Sequence, residues 1–216
     1  MYDDAKYNVK VVPCSISAPE TAGWFKKEIK SKEDLKGLKI RFFGLGADVM
    51  TKMGASVSLI PGGEIFSALE KGVIDASEFS MPVVDQKLGF YKIAKYNYFP
   101  GWHQQATVFE LLINKNTWKK MSKQQKAAVE MTCKANMTTS LAEGEAAQGK
   151  AIRQNIEERG VIVKKWSPEM LKEFRGAWNE ALVDLRKDKT FDAVWSDLST
   201  FREEYSYWNK NGFLPR

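Results

Sequence analysis

Two side chains of opposite charge stand where two predicted strands end. Arg41 lies near the end of a strand predicted over 38–43, and Glu78 lies near the end of one predicted over 74–79. Ligands of open α/β sheets bind beyond the carboxyl ends of the strands, so both side chains are expected at one edge of the sheet. The planar guanidinium of an arginine matches the two oxygens of a carboxylate, whereas a glutamate there repels an anion unless a cation lies between them. The pair predicts either an anion bound together with a metal ion or an Arg41–Glu78 salt bridge, and the residues alone favour the salt bridge.

The other reactive side chains form no catalytic or metal-binding motif. His103 is the only histidine, and no local motif joins it to Cys14 or to a serine, so an enzyme that uses His103 is a minor alternative. Cys14 and Cys133 belong to no zinc-binding pattern, and the sequence leaves open whether they pair. The turn Gly44-Leu45-Gly46 lacks the third glycine of a dinucleotide fingerprint because Val49 stands in its place, which argues against a nucleotide.

Short strands and helices separated by glycines must position Arg41 and Glu78. The alternation of strand, glycine turn, helix, glycine and strand predicts βαβ units in an open parallel sheet. The predicted strands cover 38–43, 55–60 and 74–79, and the predicted helices cover 44–53, 64–71 and 81–88.

The second half of the chain is mainly helical. Ser122 and Gln125 form a capping box, which predicts a helix that runs towards Glu158 and stops at Gly160. Ser167-Pro168 supplies an N-cap and a first-turn proline for an amphipathic helix. A last helix is predicted over 191–209, and further strands are predicted over 9–13, 107–113 and 161–163.

The composition indicates a folded globular protein that does not bind nucleic acid. The 216 residues are 44% hydrophobic and include seven Trp and twelve Phe, which excludes a disordered chain. The net charge of +6 comes from lysines interleaved with acidic residues, a pattern typical of solvated faces, and a basic interaction module is a minor alternative. No apolar run is long enough to span a bilayer, and the start of the chain lacks the features of a signal peptide.

Six segments, in this order along nearly the whole chain, carry a resemblance to a known family. They are 23–25 (Gly-Trp-Phe), 34–41, 61–72 (from Pro-Gly-Gly-Glu), 74–79, 87–92 and 98–102 (Tyr-Phe-Pro-Gly-Trp). With these segments the chain resembles the DctP-type solute-binding proteins of TRAP transporters, especially the branch that binds 2-oxo and 2-hydroxy monocarboxylates. The resemblance implies an α/β, periplasmic-binding-protein-like (type II-like) clamp that is not an enzyme.

The resemblance also implies a ligand set. Arg41 would hold the substrate carboxylate, and Glu78 with the backbone of Phe79 would coordinate a metal ion that also touches the substrate. Gln104, just past the Pro-Gly-Trp turn, would belong to the same site. The substrate-binding set implied in this way is Arg41, Glu20, Glu78, Phe79, Gln104 and Trp102, and its metal-binding members are Glu20, Glu78, Phe79 and Gln104.

Two positions depart from the pattern of the family. Phe79 replaces a usual tryptophan, which a backbone ligand tolerates, and Glu20 replaces a usual glutamine. Na⁺ and Ca²⁺ are the candidate ions, and two carboxylates in one site favour Ca²⁺ over Na⁺.

The resemblance further implies that the signal peptide and much of the first lobe of the family are absent from this sequence. Three segments are then expected: a crossover strand and loop (1–35), a complete ligand-binding lobe (36–105), and a return strand with C-terminal helices that pack on the first lobe (106–216).

The function implied is that of a periplasmic solute-binding component of a TRAP-type transporter. It would bind a small carboxylate such as pyruvate or lactate with a bridging cation and deliver it to the membrane permease subunits. A homodimer through the C-terminal helix is a further expectation. The alternatives are a truncated fragment that binds nothing, the basic interaction module and the enzyme that uses His103.

Overall fold

The computed structural model describes residue 2 and residues 7–214 of the chain. Eight strands and seven α-helices are present in these residues. The strands are β1 (Val9–Ile16), β2 (Gly23–Phe25), β3 (Lys39–Arg41), β4 (Ser56–Ser58), β5 (Ala76–Ser77), β6 (Tyr96–Phe99), β7 (Val108–Asn114) and β8 (Ile162–Lys165). The α-helices are α1 (Leu45–Lys52), α2 (Ile65–Glu70), α3 (Pro82–Leu88), α4 (Lys115–Lys120), α5 (Lys123–Arg159), α6 (Pro168–Leu185) and α7 (Lys189–Asn211).

Six of the strands form one mixed sheet, in the order β4-β3-β5-β2-β6-β8. β3 runs parallel to β4 and β5, as the repeated strand–helix units predict. The predicted open parallel sheet is mixed in the structure, because β2 is antiparallel to both β5 and β6. β2 precedes the repeated units and enters the sheet without a crossover helix, so the periodic pattern of those units does not set its direction.

The core lies on both faces of this sheet. Trp24 and Phe25 are successive residues of β2, so their side chains point to opposite faces. Phe25 packs in a cluster with residues of α1 and α6, among them Phe174. Trp24 packs in a second cluster with residues of α2, among them Leu69. The six-stranded sheet is thereby buried between helices on its two sides, which fixes the strand ends that carry the site.

A second, two-stranded sheet joins β1 antiparallel to β7, from Val9 opposite Asn114 to Ile16 opposite Val108. A disulfide between Cys14 on β1 and Cys133 on α5 ties the 37-residue helix to this ribbon. The pairing of the two cysteines, which the sequence leaves open, is therefore shown by the structure.

Local helix signals in the sequence are confirmed. The Ser122–Gln125 capping box opens α5, which ends at Gly160 in the left-handed conformation (φ 64°). Ser167 caps α6, and Pro168 is its first residue. The predicted strands 38–43, 55–60 and 74–79 are each longer than the ladders found, which hold three, three and two residues. Among the described residues, no helix combines the length and apolar character that a membrane crossing needs.

The division of the chain into 1–35, 36–105 and 106–216 stays a prediction. The sheet that contains β3 and β5 also includes β2 and β8, which lie outside 36–105. α6 packs against α1 and completes the core on that face of the sheet.

Candidate functional site

Arg41 and Glu78 form a buried salt bridge at the edge where β3 and β5 end. Arg41 Nη1 lies 2.8 Å from Glu78 Oε2, and the side chains are 7% and 4% exposed. The same Nη1 donates to the backbone carbonyl of Glu78 at 2.6 Å, and Arg41 Nε donates to the carbonyl of Ile60 at 3.2 Å. The salt bridge that the residue types favour is therefore present, and the guanidinium is held in a fixed orientation by backbone acceptors.

The Glu78 carboxylate uses its two oxygens differently. Oε2 accepts from Arg41 and from the backbone N–H of Phe43 at 3.3 Å. Oε1 lies 3.8 Å from His103 Nε2. One oxygen of Glu78 is thus fixed by the protein, and the other faces an imidazole.

Glu20 is brought to the same place by the loop between β1 and β2. Its backbone N–H donates to the carbonyl of Gln104, and a Cβ on Gly101 would overlap the carbonyl of Glu20, so the two loops pack backbone to backbone. Glu20 Oε1 accepts from Gln104 Nε2 at 2.8 Å, and the same amide group donates to Thr107. Glu20 Oε2 is buried, has no hydrogen-bond partner among residue 2 and residues 7–214, and lies 3.5 Å from His103 Nε2.

His103 stands between the two carboxylates. Its side chain is 5% exposed, and neither ring nitrogen has a hydrogen-bond partner within the described part of the chain. The imidazole meets the rings of Phe42 and Trp102 edge-on, at centroid distances of 4.8 and 5.4 Å. Donor atoms of Glu20, Glu78 and His103 all lie within 4.8 Å of one another.

The electrostatics of the site follow from burial and from like charges. Burial raises the pKa of the Glu20 carboxyl, His103 opposes this effect, and the charge of Glu78 adds to it. Burial lowers the pKa of the His103 imidazole, but the interactions with Glu20 and Glu78 outweigh burial, so the pKa is raised overall. Because Arg41 neutralises only one of two buried carboxylates, the site favours a further positive charge, which a protonated His103 or a bound cation supplies.

A third buried carboxyl, Asp85 of α3, lies behind the Glu20 loop. Its Oδ2 accepts from Trp24 Nε1 at 2.8 Å and from Thr21 Oγ1 at 3.4 Å, while Oδ1 accepts no hydrogen bond from any residue that the structure describes. Burial raises the pKa of Asp85 to about 8, the hydrogen bond from Trp24 opposes this, and the charges of Glu78 and Glu20 add to it. This residue is not among those predicted from the sequence.

The structure brings four of the predicted site residues together: Arg41, Glu20, Glu78 and Gln104. Gln104 presents its amide N–H groups, to Glu20 and Thr107, and so supports Glu20. The ring of Phe79 lies 5.4 Å from the Arg41 guanidinium carbon.

Trp102 does not face the carboxylates: its ring stacks on Phe174 and Phe42. Sequence reasoning missed His103 as a site residue. The available signal was its position between Trp102 and Gln104, both of which belong to the predicted set.

A cleft of about 600 Å³ adjoins His103. It lies between the N-terminal part of α1, the loop that contains Pro100 and Trp102, and α6, and neither Glu20 nor Glu78 lines it. The buried carboxylates therefore stand beside this space and not within it.

The donor set fits a cation. Two carboxylates each direct one oxygen towards His103 Nε2, and Glu20 Oε2 accepts no hydrogen bond from the residues that the structure describes. A buried anionic oxygen without a donor is costly, and a cation removes that cost.

Comparison with known proteins decides the family. The family model for DctP, bacterial extracellular solute-binding protein family 7, matches residues 17–188. The chain belongs to the DctP family. DctP proteins are solute-binding proteins and not enzymes, which confirms that part of the sequence prediction.

A monocarboxylate 2-oxoacid-binding periplasmic protein of Nostoc sp. (strain PCC 7120) is 36% identical over 208 residues, which are 95% of this chain and 57% of the relative. A TRAP transporter solute-binding protein of Bordetella bronchiseptica, a mixed-occupancy dimer with copurified calcium and picolinate, is 33% identical with a TM-score of 0.91. A TRAP periplasmic solute-binding protein of Pseudoalteromonas atlantica with bound sodium and pyruvate is 30% identical with a TM-score of 0.84.

These similarities cover 97% of this chain in both structural comparisons, but 62% and 63% of the respective neighbours. The chain thus spans less than two thirds of the length of these DctP relatives. The predicted type II-like clamp fold is confirmed at the level of the fold family.

Proposed function

We propose that this chain is the ligand-binding portion of a periplasmic TRAP-type solute-binding protein that holds a small 2-oxo or 2-hydroxy carboxylate together with a cation. One observation carries the proposal. Arg41 is fixed at the edge of the sheet beside two buried carboxylates, Glu20 and Glu78, each of which has one oxygen that faces His103 Nε2, at 3.5 and 3.8 Å.

Arg41 is the proposed partner of the ligand carboxylate. Its Nε and Nη1 are used by backbone and Glu78 acceptors, whereas Nη2 makes no hydrogen bond among the described residues. A guanidinium fixed on one side and open on the other presents N–H donors to a carboxylate without reorganising, which is how pre-organisation raises affinity.

Glu20 and Glu78 are the proposed holders of the cation, and the backbone of Phe79 is proposed to assist. Gln104 acts by fixing Glu20, whose Oε1 it occupies. A cation there would neutralise the repulsion between the ligand carboxylate and the two glutamates. Pyruvate and lactate offer a second oxygen next to the carboxylate, which suits a ligand that touches the guanidinium and the cation together.

The relatives support this choice of ligand class. The Nostoc relative is named for 2-oxoacids, and the two structural neighbours contain picolinate with calcium and pyruvate with sodium. Delivery to TRAP membrane permease subunits and a homodimer through α7 are parts of the same proposal. Exposed aromatic residues of α7, among them Trp208 at 58% exposure, support the dimer.

The test is calorimetry with pyruvate and lactate, each in the presence of Ca²⁺, of Na⁺ or of neither. We expect saturable binding that requires a cation and that is weakened at least about 100-fold by Arg41→Ala, since a buried charge then loses its partner. Arg41→Lys keeps the charge but loses the planar fork, so its affinity should fall between the two. Lys39→Ala is the matched control, because Lys39 belongs to the same strand but is exposed and binds the carbonyl of Gly72.

Circular dichroism of each variant separates lost binding from lost folding. Unchanged affinity in a folded Arg41→Ala variant would overturn the assignment of Arg41. Absence of binding by the chain to every acid tested would favour the alternative of a fragment that binds nothing.

A further inference from the structure

The cleft beside His103 has a volume of about 600 Å³ and takes no part in the proposed function. Its walls come from the first turns of α1, the loop after β6 and the first half of α6, and Arg202 of α7 also lines it. Arg41, Glu20 and Glu78 do not line it. Pockets of roughly 300–1,000 Å³ enclose organic molecules much larger than pyruvate, so the cleft has the size of a separate binding site.

The walls of the cleft are mostly apolar and are held in place by aromatic contacts. Trp102 stacks on Phe174, with ring centroids 4.5 Å apart and an interplanar angle of 12°. Trp178 meets the ring of Trp195 at a centroid distance of 5.5 Å. Phe174 is buried, whereas Trp102 and Trp178 are only half-buried and keep part of each indole accessible. A fixed aromatic surface of this kind binds a flat apolar molecule with little loss of side-chain freedom.

Two arginines give this apolar cleft a positive charge. Arg175 of α6 and Arg202 of α7 both line it, and neither forms a salt bridge with a carboxylate of the described residues. Three other arginines pair with acidic side chains, namely Arg41, Arg153 and Arg186. None of the lining residues in the described part of the chain carries a carboxylate. The two guanidinium groups at the cleft are therefore open to an anion from outside the chain.

The two features together define a class of ligand. A guanidinium matches the two oxygens of a carboxylate, and an indole face matches another aromatic ring. A small inorganic anion would use the arginines but leave the aromatic walls in contact with water. A neutral apolar molecule would cover the walls but leave the guanidinium groups partly desolvated without a partner. An organic anion with a flat apolar body satisfies both.

We propose that the cleft is a second binding site, in which an aromatic carboxylate pairs with Arg175 and Arg202 and lies against the indoles of Trp102 and Trp178. The ligand carries one anionic group at the end of a flat apolar body. 2-Naphthoate has both parts and serves as the probe.

This inference does not rest on the proposed function, because the two sites use different residues. His103 lies between them, since it lines the cleft and also faces Glu20 and Glu78. The cleft holds an anion without a cation, whereas the proposed site at the edge of the sheet needs one.

The first experiment titrates the protein with 2-naphthoate in a calorimeter. 2-Naphthylmethanol, which lacks the charge, and acetate, which lacks the ring, are the matched probes. We expect one equivalent of 2-naphthoate to bind, and each matched probe to bind at least about tenfold more weakly, because each gives up one of the two kinds of contact.

A double variant, Arg175→Gln/Arg202→Gln, tests the arginines. It keeps polar side chains but removes both charges, and it should weaken 2-naphthoate binding at least about tenfold. Both positions are exposed, so the variant should fold, which circular dichroism checks. Lys150→Gln/Arg153→Gln removes the same charge from exposed positions of α5, and it should change the affinity by less than about twofold.

Arg41→Ala separates the cleft from the edge of the sheet. The carboxylate of 2-naphthoate also suits Arg41, so the same titration is made with this variant. Because Arg41 does not line the cleft, the affinity for 2-naphthoate should stay within about twofold of the wild type.

Four results would overturn the proposal: no saturable binding of 2-naphthoate, equal affinity for 2-naphthylmethanol, unchanged affinity in the folded double variant, or loss of binding in folded Arg41→Ala. Failure of this inference is distinguishable from failure of the proposed function. Pyruvate binding without 2-naphthoate binding contradicts the second site alone. Binding of 2-naphthoate that depends on the two cleft arginines, without any pyruvate or lactate binding, contradicts the proposed function alone.

Discussion

Asp85→Asn should abolish a pH-dependent loss of stability. Asp85 is fully buried, and its pKa is raised to about 8 from 3.8, first by burial and then by the charges of Glu78 and Glu20. The folded protein therefore keeps the proton over a range in which the unfolded chain has lost it. Stability contributed by this proton is complete below about pH 4, decreases as the pH rises towards 8, and changes no further above that value.

The size of the effect follows from the two pKa values. Each pH unit between about 4 and 8 costs about 1.4 kcal/mol, so the ionisation of Asp85 costs on the order of 5 kcal/mol in total. Asparagine is nearly isosteric and cannot ionise. It keeps an acceptor for Trp24 Nε1, but it places N–H donors where Oδ1 has no partner, at a cost of about 1–3 kcal/mol.

The assay is urea unfolding of both proteins from pH 5 to 9 with a chelator present. The free energy of unfolding of Asp85→Asn minus that of the wild type should grow by about 1 kcal/mol or more per pH unit between 5 and 8 and then level off. Asp48→Asn, at an exposed position of α1, is the control, and its difference should stay near zero. A difference for Asp85→Asn that is constant over the whole range would refute the reasoning.

Three further predictions concern the scaffold and the site. Replacing Cys14 and Cys133 by serine should lower the free energy of unfolding by about 2–5 kcal/mol, measured in denaturant, because the crosslink closes a loop of 119 residues; a loss below about 0.5 kcal/mol would contradict this. Gly101→Ala should displace the Glu20 loop and weaken cation binding by calorimetry, whereas Gly63→Ala, where an added Cβ meets nothing within 4 Å, should not; equal effects would refute the role of the close approach. Glu20→Gln should lower the affinity for divalent ions at least about tenfold in the same assay, and unchanged affinity would exclude Glu20 as a ligand.

Local signals in the sequence were sufficient to predict the helices and the edge of the sheet at which Arg41 and Glu78 lie. A capping box and a C-terminal glycine give the ends of α5, and the glycine turns after predicted strands place Arg41 and Glu78 at one edge. The direction of β2 was not predictable in this way, because a three-residue strand carries no periodicity that distinguishes parallel from antiparallel pairing. The Cys14–Cys133 pairing depends on how α5 crosses β1, which no local pattern records.

The role of His103 depends on contacts that are distant in sequence. Its ring reaches Glu20 because Gly101 lets the turn pack against the carbonyl of Glu20, a contact over about 80 residues of chain. The family resemblance drew attention to the neighbouring Gln104, and the structure shows that Gln104 supports Glu20 while His103 faces both carboxylates. Residue type and spacing identify which groups can do chemistry, whereas the distance between their atoms decides which of them share a ligand.

The three buried carboxyl groups of the site lower the stability of the folded protein. Glu20, Glu78 and Asp85 are each at most 5% exposed, and only Glu78 is paired with an arginine. Such an arrangement lowers the stability of the protein without its ligands at neutral pH, since burial opposes the ionisation of Glu20 and Asp85, which the unfolded chain permits. A cation and a carboxylate that bind only the folded state recover that stability, by an amount that grows with the logarithm of each concentration over its dissociation constant. Thermal stability should therefore rise with the cation alone and rise again with the carboxylate, and the two increments should exceed the sum of their separate effects because each ligand neutralises the charge that opposes the other.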